Sequence, residues 1–289
     1  MPVIEIKKLK KYFGKTRAVD GIDISIEKGT IFGFLGPNGA GKTTAIRCML
    51  DFIKPTSGEI KIAGLNPQDD SEKLKSKIGY LPGSVRLYDG WTEEDHIKFL
   101  QSYGGKIEVA NSLIKILDFD RKLKFRHLSS GNKQKLGIIL ALMKKPEILI
   151  LDEPTNSLDP LLQNQVHKIL KDWKNDGLTI FMSSHNLFEV DQVCDRVGII
   201  KEGKMIAAEN IKELKEKRLH YVTATFASSF NKEDFKIANV ESVDEIDSSL
   251  MIKFRGDIDP LIKILAKHKL KDLEMSHATL EEIFLEFYN

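Results

Sequence analysis

Gly36-Pro37-Asn38-Gly39-Ala40-Gly41-Lys42-Thr43-Thr44 is the stretch that decides the fold, and it lies between an apolar run and a segment of good helix formers. The apolar run, residues 31–35, is typical of a buried parallel strand, and residues 43–52 are typical of a helix. The glycines therefore fall in a strand-to-helix turn. There glycine permits positive φ and close backbone approach, so N–H groups at the helix start can face a phosphate. The stretch predicts a phosphate-binding loop in an α/β protein.

Two side chains of this loop have predicted roles of their own. Lys42 supplies a positive charge between phosphates, and the Thr43 hydroxyl is a ligand for Mg²⁺. The alternative is a glycine-rich turn that matches the pattern by accident. The strand before it and the helix after it favour the functional interpretation. We therefore expect a nucleoside triphosphate to contact the residues of the loop, namely Gly36, Pro37, Asn38, Gly39, Ala40, Gly41, Lys42, Thr43 and Thr44.

Length and composition describe an ordinary globular protein. The 289 residues suggest roughly two domains, and the longest apolar run, residues 136–143, is far shorter than the roughly 20 residues of a membrane span. No apolar signal-peptide core is present near the N-terminus, so we expect a cytoplasmic protein. The net charge of +2 gives no reason to expect a nucleic-acid partner. Cys48 and Cys194 are expected to be buried thiols.

The pattern along the first two thirds of the chain predicts a mixed, β-rich opening, then a helical block, and then strands that alternate with helices. Short strands are predicted at residues 3–6, 22–26, 31–35, 60–62 and 78–81. Helical spacing follows at 92–117 and 130–145. Strands then resume at 148–151, 179–183 and 196–200, with helices at 160–173 and 187–194 between them. Alternation of strands and helices is typical of a parallel sheet.

The remaining residues predict a separate tail after a charged helical stretch at 211–218. Its predicted strands are 221–226, 241–246, 250–254 and 271–275, and its predicted helices are 258–268 and 279–287. This order is compatible with a small α+β domain of split βαβ type. Thr279 and Glu282 have the spacing of a capping box at the start of the last helix.

Two carboxylates follow the apolar run Ile148-Leu149-Ile150-Leu151. They stand at the carboxyl end of a buried strand, which is also the edge where the phosphate loop would lie. Asp152 is the predicted Mg²⁺ partner, and Glu153 is the predicted general base that polarises an attacking water. Taken alone, the pair would more often be structural, so further motifs are needed.

Three further elements make the chain resemble the ATP-binding cassette (ABC) ATPases. Leu128-Ser129-Ser130-Gly131-Asn132-Lys133-Gln134-Lys135 stands where that family has its signature sequence, Ser157-Leu158-Asp159 resembles its D-loop, and His185 follows a predicted strand as its switch histidine does. The resemblance implies that Ser129, Gly131 and Asp159 line a nucleotide held by another subunit. It also implies that His185 contacts the γ-phosphate and positions the water. Phe13 resembles the aromatic residue on which adenine stacks, with core packing by Tyr12 or Phe13 as the alternative.

The resemblance also implies an architecture and a function. Residues 1–215 would form the nucleotide-binding domain, a P-loop NTPase (RecA-like) core with an N-terminal antiparallel β-subdomain and a helical subdomain inserted at about 84–145. Residues 219–289 would form the small α+β domain. ATP and Mg²⁺ are the implied cofactors. The implied partners are a second ABC ATPase subunit, bound head-to-tail, and integral-membrane permease subunits, and the ending resembles ATPases paired with drug- or lipid-export permeases.

The chain departs from the family pattern at three positions. Gly83 stands where the family usually has a glutamine that senses the γ-phosphate and Mg²⁺, so a water is an alternative metal ligand. In the signature, Ser130 replaces the usual glycine and Asn132 the usual glutamine. Neither change removes Ser129 or Gly131, so the ATPase interpretation is kept.

Three alternatives remain open at this point. A GTPase is one, because Asp195-Arg196-Val197-Gly198 fits D-x-x-G and Asn231-Lys232-Glu233-Asp234 fits N-K-x-D. Another is an ABC ATPase that works outside transport, although neither a long heptad coiled coil nor a second cassette is evident. The third is a module that binds ATP without hydrolysing it, which Gly83 suggests and Glu153 and His185 oppose.

Overall fold

The computed structural model describes residues 2–119, 123–216 and 219–277 of the chain. Two compact units are present, Met1–Glu209 and Asn210–Asn289. The first unit contains, in chain order, β1 (Pro2–Phe13), β2 (Thr16–Glu27), β3 (Ile31–Leu35), α1 (Lys42–Met49), β4 (Ser57–Ile62), α2 (Ser71–Lys77), β5 (Ile78–Leu81), α3 (Glu93–Ser102), α4 (Ile107–Ile116), α5 (Ser130–Leu142), β6 (Ile148–Asp152), α6 (Pro160–Asn175), β7 (Thr179–Ser184), α7 (Leu187–Val193), β8 (Arg196–Lys201) and β9 (Lys204–Asn210).

A six-stranded sheet forms the centre of this unit. Its strand order is β5-β6-β7-β3-β8-β9, and the pairs from β5 through β8 are parallel. Every residue of β3, β6 and β7 is buried, as expected where helices cover both faces of a parallel sheet. The predicted parallel sheet is confirmed, and the carboxyl ends of β3, β6 and β7 meet at one edge.

The N-terminal residues form a separate antiparallel sheet of order β2-β1-β4. Isoleucines alternate into its buried face at Ile4, Ile6, Ile22, Ile24 and Ile26. The predicted strands are confirmed here, but β1 and β2 each run to 12 residues, longer than the apolar runs. Charged residues extend both strands because only one side of this sheet needs to be apolar.

Three helices, α3 to α5, are inserted between β5 and β6, as predicted for the helical block. The prediction of one helical stretch at 92–117 was wrong in one respect, because two helices are present: α3 ends at Ser102 and α4 begins at Ile107. Gly104 between them has φ +89°, a left-handed conformation that ends a helix. A Cβ on the next residue, Gly105, would lie 2.7 Å from Met143 Cε, so the break is also a point of close packing.

Two elements of the first unit lacked a sequence signal. Helix α2 carries one buried apolar residue, Leu74, and therefore has no apolar periodicity. Strand β9 pairs at the sheet edge and mixes exposed with half-buried residues. Within the described residues, no helix has the length and apolar character that spanning a membrane requires.

The second unit contains α8 (Ile211–Glu216), β10 (Leu219–Phe226), β11 (Val240–Ile246), β12 (Ser249–Arg255), α9 (Asp259–Leu265) and β13 (Leu270–His277). Its antiparallel sheet has the order β11-β12-β10-β13, the split βαβ arrangement that the tail pattern suggested. A short 3₁₀ helix, Lys232–Phe235, replaces the first crossover helix. Buried Phe235, Phe254 and Leu261 form part of its core. The helix predicted at 279–287, with its Thr279–Glu282 capping box, lies outside the described residues.

Candidate active site

The phosphate loop connects β3 to α1 and has no room for side chains at two of its glycines. A Cβ on Gly36 would lie 2.2 Å from the carbonyl oxygen of Ile200, and one on Gly41 would lie 2.2 Å from that of Ala18. Gly41 also has φ +109°, which glycine adopts without strain. The loop borders a cleft of about 220 Å³ lined by Ala18, Asn38, Gly39, Ala40, Gly41, Lys42, Thr43, Thr44 and Glu153. The close backbone contacts of the loop therefore require glycine at positions 36 and 41.

Lys42 is buried at the base of this cleft. Its Nζ donates to the carbonyl oxygens of Gly36 at 2.6 Å and Pro37 at 3.2 Å. It also lies 3.2 Å from Glu153 Oε1, which makes an ion pair between two largely buried side chains. The ammonium is thus held between the loop backbone and the candidate base, where it can meet a phosphate that enters the cleft.

Asp152 ends β6 and is bound by two hydroxyl groups. Thr43 Oγ1 donates to its Oδ2 at 2.8 Å, and Ser183 Oγ, from the neighbouring strand β7, donates to its Oδ1. The carboxylate is only 2% exposed. A hydroxyl and a carboxylate from two elements therefore converge beside the phosphate loop, as predicted for Thr43 and Asp152.

Glu153 adopts a left-handed backbone conformation with φ +52°, uncommon for a residue with a side chain. Its N–H donates to the carbonyl and hydroxyl oxygens of Ser183, which hold this conformation. Glu153 Oε2 lies 2.7 Å from Nδ1 of His185. The other oxygen, Oε1, is buried and makes no hydrogen bond, although it is ion-paired with Lys42. The structure therefore brings the three predicted catalytic residues, Lys42, Glu153 and His185, into direct contact.

The donor set around the cleft fits a magnesium-bound nucleotide. Magnesium is bound through oxygen and takes few protein ligands beside phosphates and waters. Thr43 and Asp152 supply such oxygens beside the phosphate loop, which fits a metal shared with a nucleotide. No cluster of three or more His, Cys, Asp or Glu residues able to hold a metal occurs in the described part of the chain.

Gly83 follows β5 and lies against Asp152. A Cβ on Gly83 would be 3.3 Å from Asp152 Oδ2, so this position lies next to the carboxylate that was predicted to hold Mg²⁺. Tyr80, three residues earlier on β5, is half-buried, and burial followed by the charge of Asp152 raises the pKa of its hydroxyl to about 12. Tyr80 is therefore neutral at physiological pH.

The three residues predicted to serve a second subunit do not line this cleft. Ser129 caps α5 by accepting a hydrogen bond from Asn132 N at 3.2 Å, and Asp159 caps α6 by accepting one from Leu162 N at 3.0 Å. A Cβ on Gly131 would lie 3.0 Å from the carbonyl oxygen of Ser157, so the signature and the D-loop contact each other within one chain.

Phe13 ends β1 and is 50% exposed, so it does not pack in the core. The ammonium of Lys11 lies 4.9 Å from its ring centroid. Phe13 pairs with Thr16 across the hairpin, and Ala18, two residues further on, lines the cleft. Its neighbour Tyr12 is held by a hydrogen bond to Asp20 instead.

The residues that fit the GTPase patterns have structural roles. Asp195 stands before β8, at the opposite end of the strand from the cleft, where it accepts hydrogen bonds from Ile31 N and Lys174 Nζ. Asn231 belongs to the second unit and caps the 3₁₀ helix through Glu233 N. Each match therefore has a structural role within its own unit.

Sequence reasoning missed two residues that hold the site together. Ser183 binds both Asp152 and the backbone of Glu153. Gln134, buried in α5, donates from Nε2 to the carbonyl oxygen of Pro154 at 2.9 Å. Ser183 could have been suspected from two hydroxyl residues directly before His185 at a strand end. For Gln134, no signal beyond its place within the signature segment was available.

Comparison with known proteins identifies the family. The sequence model of the family described as 'ABC transporter' matches residues 19–156. The chain is 37% identical over 242 residues to the bacitracin transport ATP-binding protein BcrA of Enterococcus faecalis, covering 82% of this chain and 76% of that protein. The chain belongs to the ABC transporter ATP-binding proteins. It is an ABC-type ATPase, which confirms the resemblance drawn from its motifs.

Two further relatives extend this finding. An uncharacterized ABC transporter ATP-binding protein of Methanocaldococcus jannaschii is 32% identical over 280 residues, covering 94% of this ABC ATPase and 98% of the relative. Among solved structures, the ATP-binding subunit of an ABC transporter superposes with a TM-score of 0.68 at 26% identity, covering 74% of this chain and 92% of that one. The match to the Methanocaldococcus jannaschii protein therefore includes residues of the second unit.

Proposed function

We propose that this ABC ATPase binds ATP·Mg²⁺ in the cleft beside the phosphate loop and uses Glu153 as the general base of hydrolysis. The observation that carries the proposal is the position of the Glu153 carboxylate, which contacts both Lys42 and His185 at the cleft. A non-hydrolysing module would have no need for a carboxylate held in strained backbone geometry. The strain at φ +52° instead suits a group that must point at a reacting water.

The residues of the cleft divide the chemistry among them. Backbone N–H groups of residues 36–44 and the ammonium of Lys42 bind the phosphates. Thr43 and Asp152 would hold Mg²⁺, which would neutralise charge on the phosphates. Phosphates that draw the ammonium of Lys42 towards them release Glu153 Oε1, which then takes a proton from the attacking water. His185 holds the other Glu153 oxygen and positions the same water.

Phe13 would stack on the adenine ring. It is exposed, lies near the cleft-lining Ala18, and already contacts a cation on one side of its ring. An aromatic residue of this kind needs no particular hydrogen bonds to bind a base.

The site is completed by a second ATPase subunit, identical or closely related, bound head-to-tail. Ser129 stands at the N-terminus of the 13-residue helix α5, where N–H groups and a hydroxyl can bind a γ-phosphate. Ser129, Gly131 and Asp159 do not line the cleft of their own chain, which supports a role for them at a nucleotide held across an interface. Two nucleotides would then be enclosed between two chains, and hydrolysis would reopen them.

A surface of the helical insert fits a membrane permease. Tyr88, Phe99 and Tyr103 are 61%, 46% and 64% exposed, and Trp91 contacts both Tyr88 and Phe99. We call Tyr88, Trp91, Phe99 and Tyr103 the aromatic surface. Exposed aromatic groups of this size are unusual on a monomer and mark contact sites. An apolar cytoplasmic segment of the permease is the proposed occupant, and it would place the ATPase on the inner face of the cell membrane.

The proposed transport function is export of a drug- or lipid-like molecule. The relative BcrA is named for bacitracin transport, which supports this class of cargo. Residues 1–215 would act as the nucleotide-binding domain and 219–289 as a small α+β domain. The division of the chain into Met1–Glu209 and Asn210–Asn289 supports two domains, with a boundary a few residues earlier.

The proposal is tested with Glu153→Gln, which should bind ATP but hydrolyse it slowly and so accumulate the enclosed dimer. On a sizing column it should elute as a dimer with ATP·Mg²⁺ and as a monomer without it. The same variant, recovered from native membranes, should carry an integral-membrane partner, and a matched variant with Phe99→Ser and Tyr103→Ser should not. Elution as a monomer in both conditions would refute the enclosed dimer, and recovery without a membrane partner would refute transport.

A further inference from the structure

Glu189, on α7, is a buried carboxylate that the proposed mechanism does not use. It is 3% exposed, and both of its oxygens accept hydrogen bonds from hydroxyl groups. Thr155 Oγ1 donates to Oε1 at 2.8 Å, and Ser184 Oγ donates to Oε2 at 2.6 Å. Within the described residues, no lysine or arginine is paired with it. Burial of a carboxylate without such a partner costs desolvation free energy, so its position calls for an explanation.

The two hydroxyl donors belong to the two loops that carry the reacting groups. Thr155 is two residues after Glu153, and Ser184 directly precedes His185. Ser183 holds the backbone of Glu153 from the other side. The Glu153 loop is therefore fixed at two points. Its backbone is held at Glu153 by Ser183 of the neighbouring strand, and two residues later the Thr155 hydroxyl is held by Glu189.

The loop of His185 is fixed in the same way. Before it stands Ser184, tied to Glu189, and after it stands Asn186, whose side chain caps α7 by accepting from Phe188 N and Glu189 N. Glu189 thus lies in the first turn of the helix that begins beside His185. One carboxylate connects both loops, whose tips meet at the 2.7 Å contact between Glu153 and His185.

A third group adjoins the same carboxylate. His167 Nε2, from α6, lies 3.6 Å from Glu189 Oε1, is buried, and makes no hydrogen bond. Helix α6 begins at the cap residue Asp159 of the D-loop. Glu189 therefore adjoins all three segments that shape the site on this side: the Glu153 loop, the His185 loop and the helix that follows the D-loop.

We propose that Glu189 is a positioning residue for hydrolysis, which sets the relative placement of Glu153 and His185 through Thr155 and Ser184. The proposal rests on the roles given above to Glu153 and His185. Loss of either tie lets one loop drift relative to the other. A small displacement of a base from its water lowers the rate of the chemical step and leaves nucleotide binding intact.

The test compares three matched variants of the full chain. Thr155→Val removes the hydroxyl and keeps the shape, and Thr155→Ser keeps the hydroxyl. Thr179→Val is the control for burial, because Thr179 is fully buried at the other end of β7 and accepts from Gly29 N at 3.0 Å. For each variant, kcat and KM for ATP, fluorescent-nucleotide binding and the unfolding temperature are measured. Ser184→Ala and Glu189→Gln provide independent variants should Thr155→Val fold poorly.

We expect kcat to fall about tenfold or more in Thr155→Val, Ser184→Ala and Glu189→Gln, with KM and nucleotide binding within about twofold of wild type. Thr155→Ser should restore kcat, and Thr179→Val should lower only the unfolding temperature. In a Glu153→Gln background, Glu189→Gln should lower the residual rate no further, because it acts through Glu153. An equal loss of kcat in Thr179→Val, an unchanged kcat in Thr155→Val, or a full multiplicative loss in the double variant would overturn the proposal.

The controls separate this proposal from the one on which it rests. If Glu153→Gln alone keeps the wild-type rate, the role of Glu153 as base is wrong, and the positioning role is wrong with it. If Glu153→Gln abolishes turnover while the Thr155, Ser184 and Glu189 variants retain it, only the positioning role is wrong.

Discussion

His185 Nδ1 lies 2.7 Å from Glu153 Oε2, although the two residues are 32 apart in the chain. The contact exists because β6 and β7 are parallel neighbours, with Asp152 paired to Ser183, so the residues that follow each strand end at the same edge. The backbone N–H of His185 also faces the same oxygen at 3.4 Å. The proposed base and the proposed water-positioning group therefore meet beside the phosphate loop.

Replacement of His185 by alanine should lower kcat for ATP by about 10- to 100-fold, because the group that positions the water and holds the base is lost. ATP binding should stay within about twofold of wild type, since the phosphate loop is untouched. Steady-state hydrolysis and fluorescent-nucleotide binding measure both quantities. His127→Ala, at an exposed histidine away from the cleft, is the control; if it slows turnover as much as His185→Ala does, the assignment of His185 fails.

Gly36→Ala should weaken ATP binding at least about tenfold and lower the unfolding temperature of the first unit. The added Cβ would lie 2.2 Å from the backbone oxygen of Ile200, a contact that only backbone movement relieves. Isothermal titration with ATP·Mg²⁺ and thermal unfolding check this. Gly90→Ala, whose Cβ meets nothing within 4 Å and whose φ lies outside the left-handed region, is the matched control and should bind ATP normally. Equal ATP affinity in Gly36→Ala and wild type would show that the loop tolerates the displacement and that its close approach is dispensable.

Ser129→Ala, made in the Glu153→Gln background, should prevent the ATP-dependent dimer on a sizing column. The hydroxyl is expected to bind the partner's γ-phosphate, and its loss as a helix cap costs only about 1 kcal/mol. Thr92→Ala removes a comparable cap, that of α3, with no expected effect on the dimer. Should the Ser129 variant still form a full dimer with ATP·Mg²⁺, the signature would have no place in the interface.

Stability should depend on His96 below neutral pH. Burial lowers the pKa of this imidazole from its ordinary value of 6.5, with the Thr92 carbonyl and then Asp95 opposing the shift. Its Nδ1 donates to Thr92 O at 2.7 Å, and its Nε2 is buried without a partner, so a second proton has no acceptor. Because the unfolded chain takes up that proton more readily, the full free energy of unfolding is present above pH 6.5 and falls as the pH drops below it.

Urea unfolding at about pH 7.5 and about pH 5.5 measures this loss. His96→Asn keeps a donor for Thr92 and does not titrate, so it should lose less free energy of unfolding between the two pH values than wild type does. An equal loss in the two proteins would contradict the role of His96.

Much of the site could be predicted from the sequence because its residues occur in local motifs. The phosphate loop and the carboxylates of Asp152 and Glu153 each sit beside an apolar strand, and the motif order predicted their meeting. Ser183 and Glu189 were not predicted, because their roles depend on strand pairing and on a helix that packs behind the cleft. In the fold, α2 carries too few apolar residues to show a period, and the break at Gly104 was hidden within a run of helical spacing.

The rate of ATP hydrolysis by Glu153→Gln tests the central claim most directly. The matched control is Glu147→Gln, directly before the same strand β6, where the glutamate is exposed and paired with Lys77. We predict that Glu153→Gln lowers kcat by at least about 100-fold with ATP affinity within about twofold of wild type, while Glu147→Gln changes neither. A Glu153→Gln rate within about threefold of wild type would contradict the account.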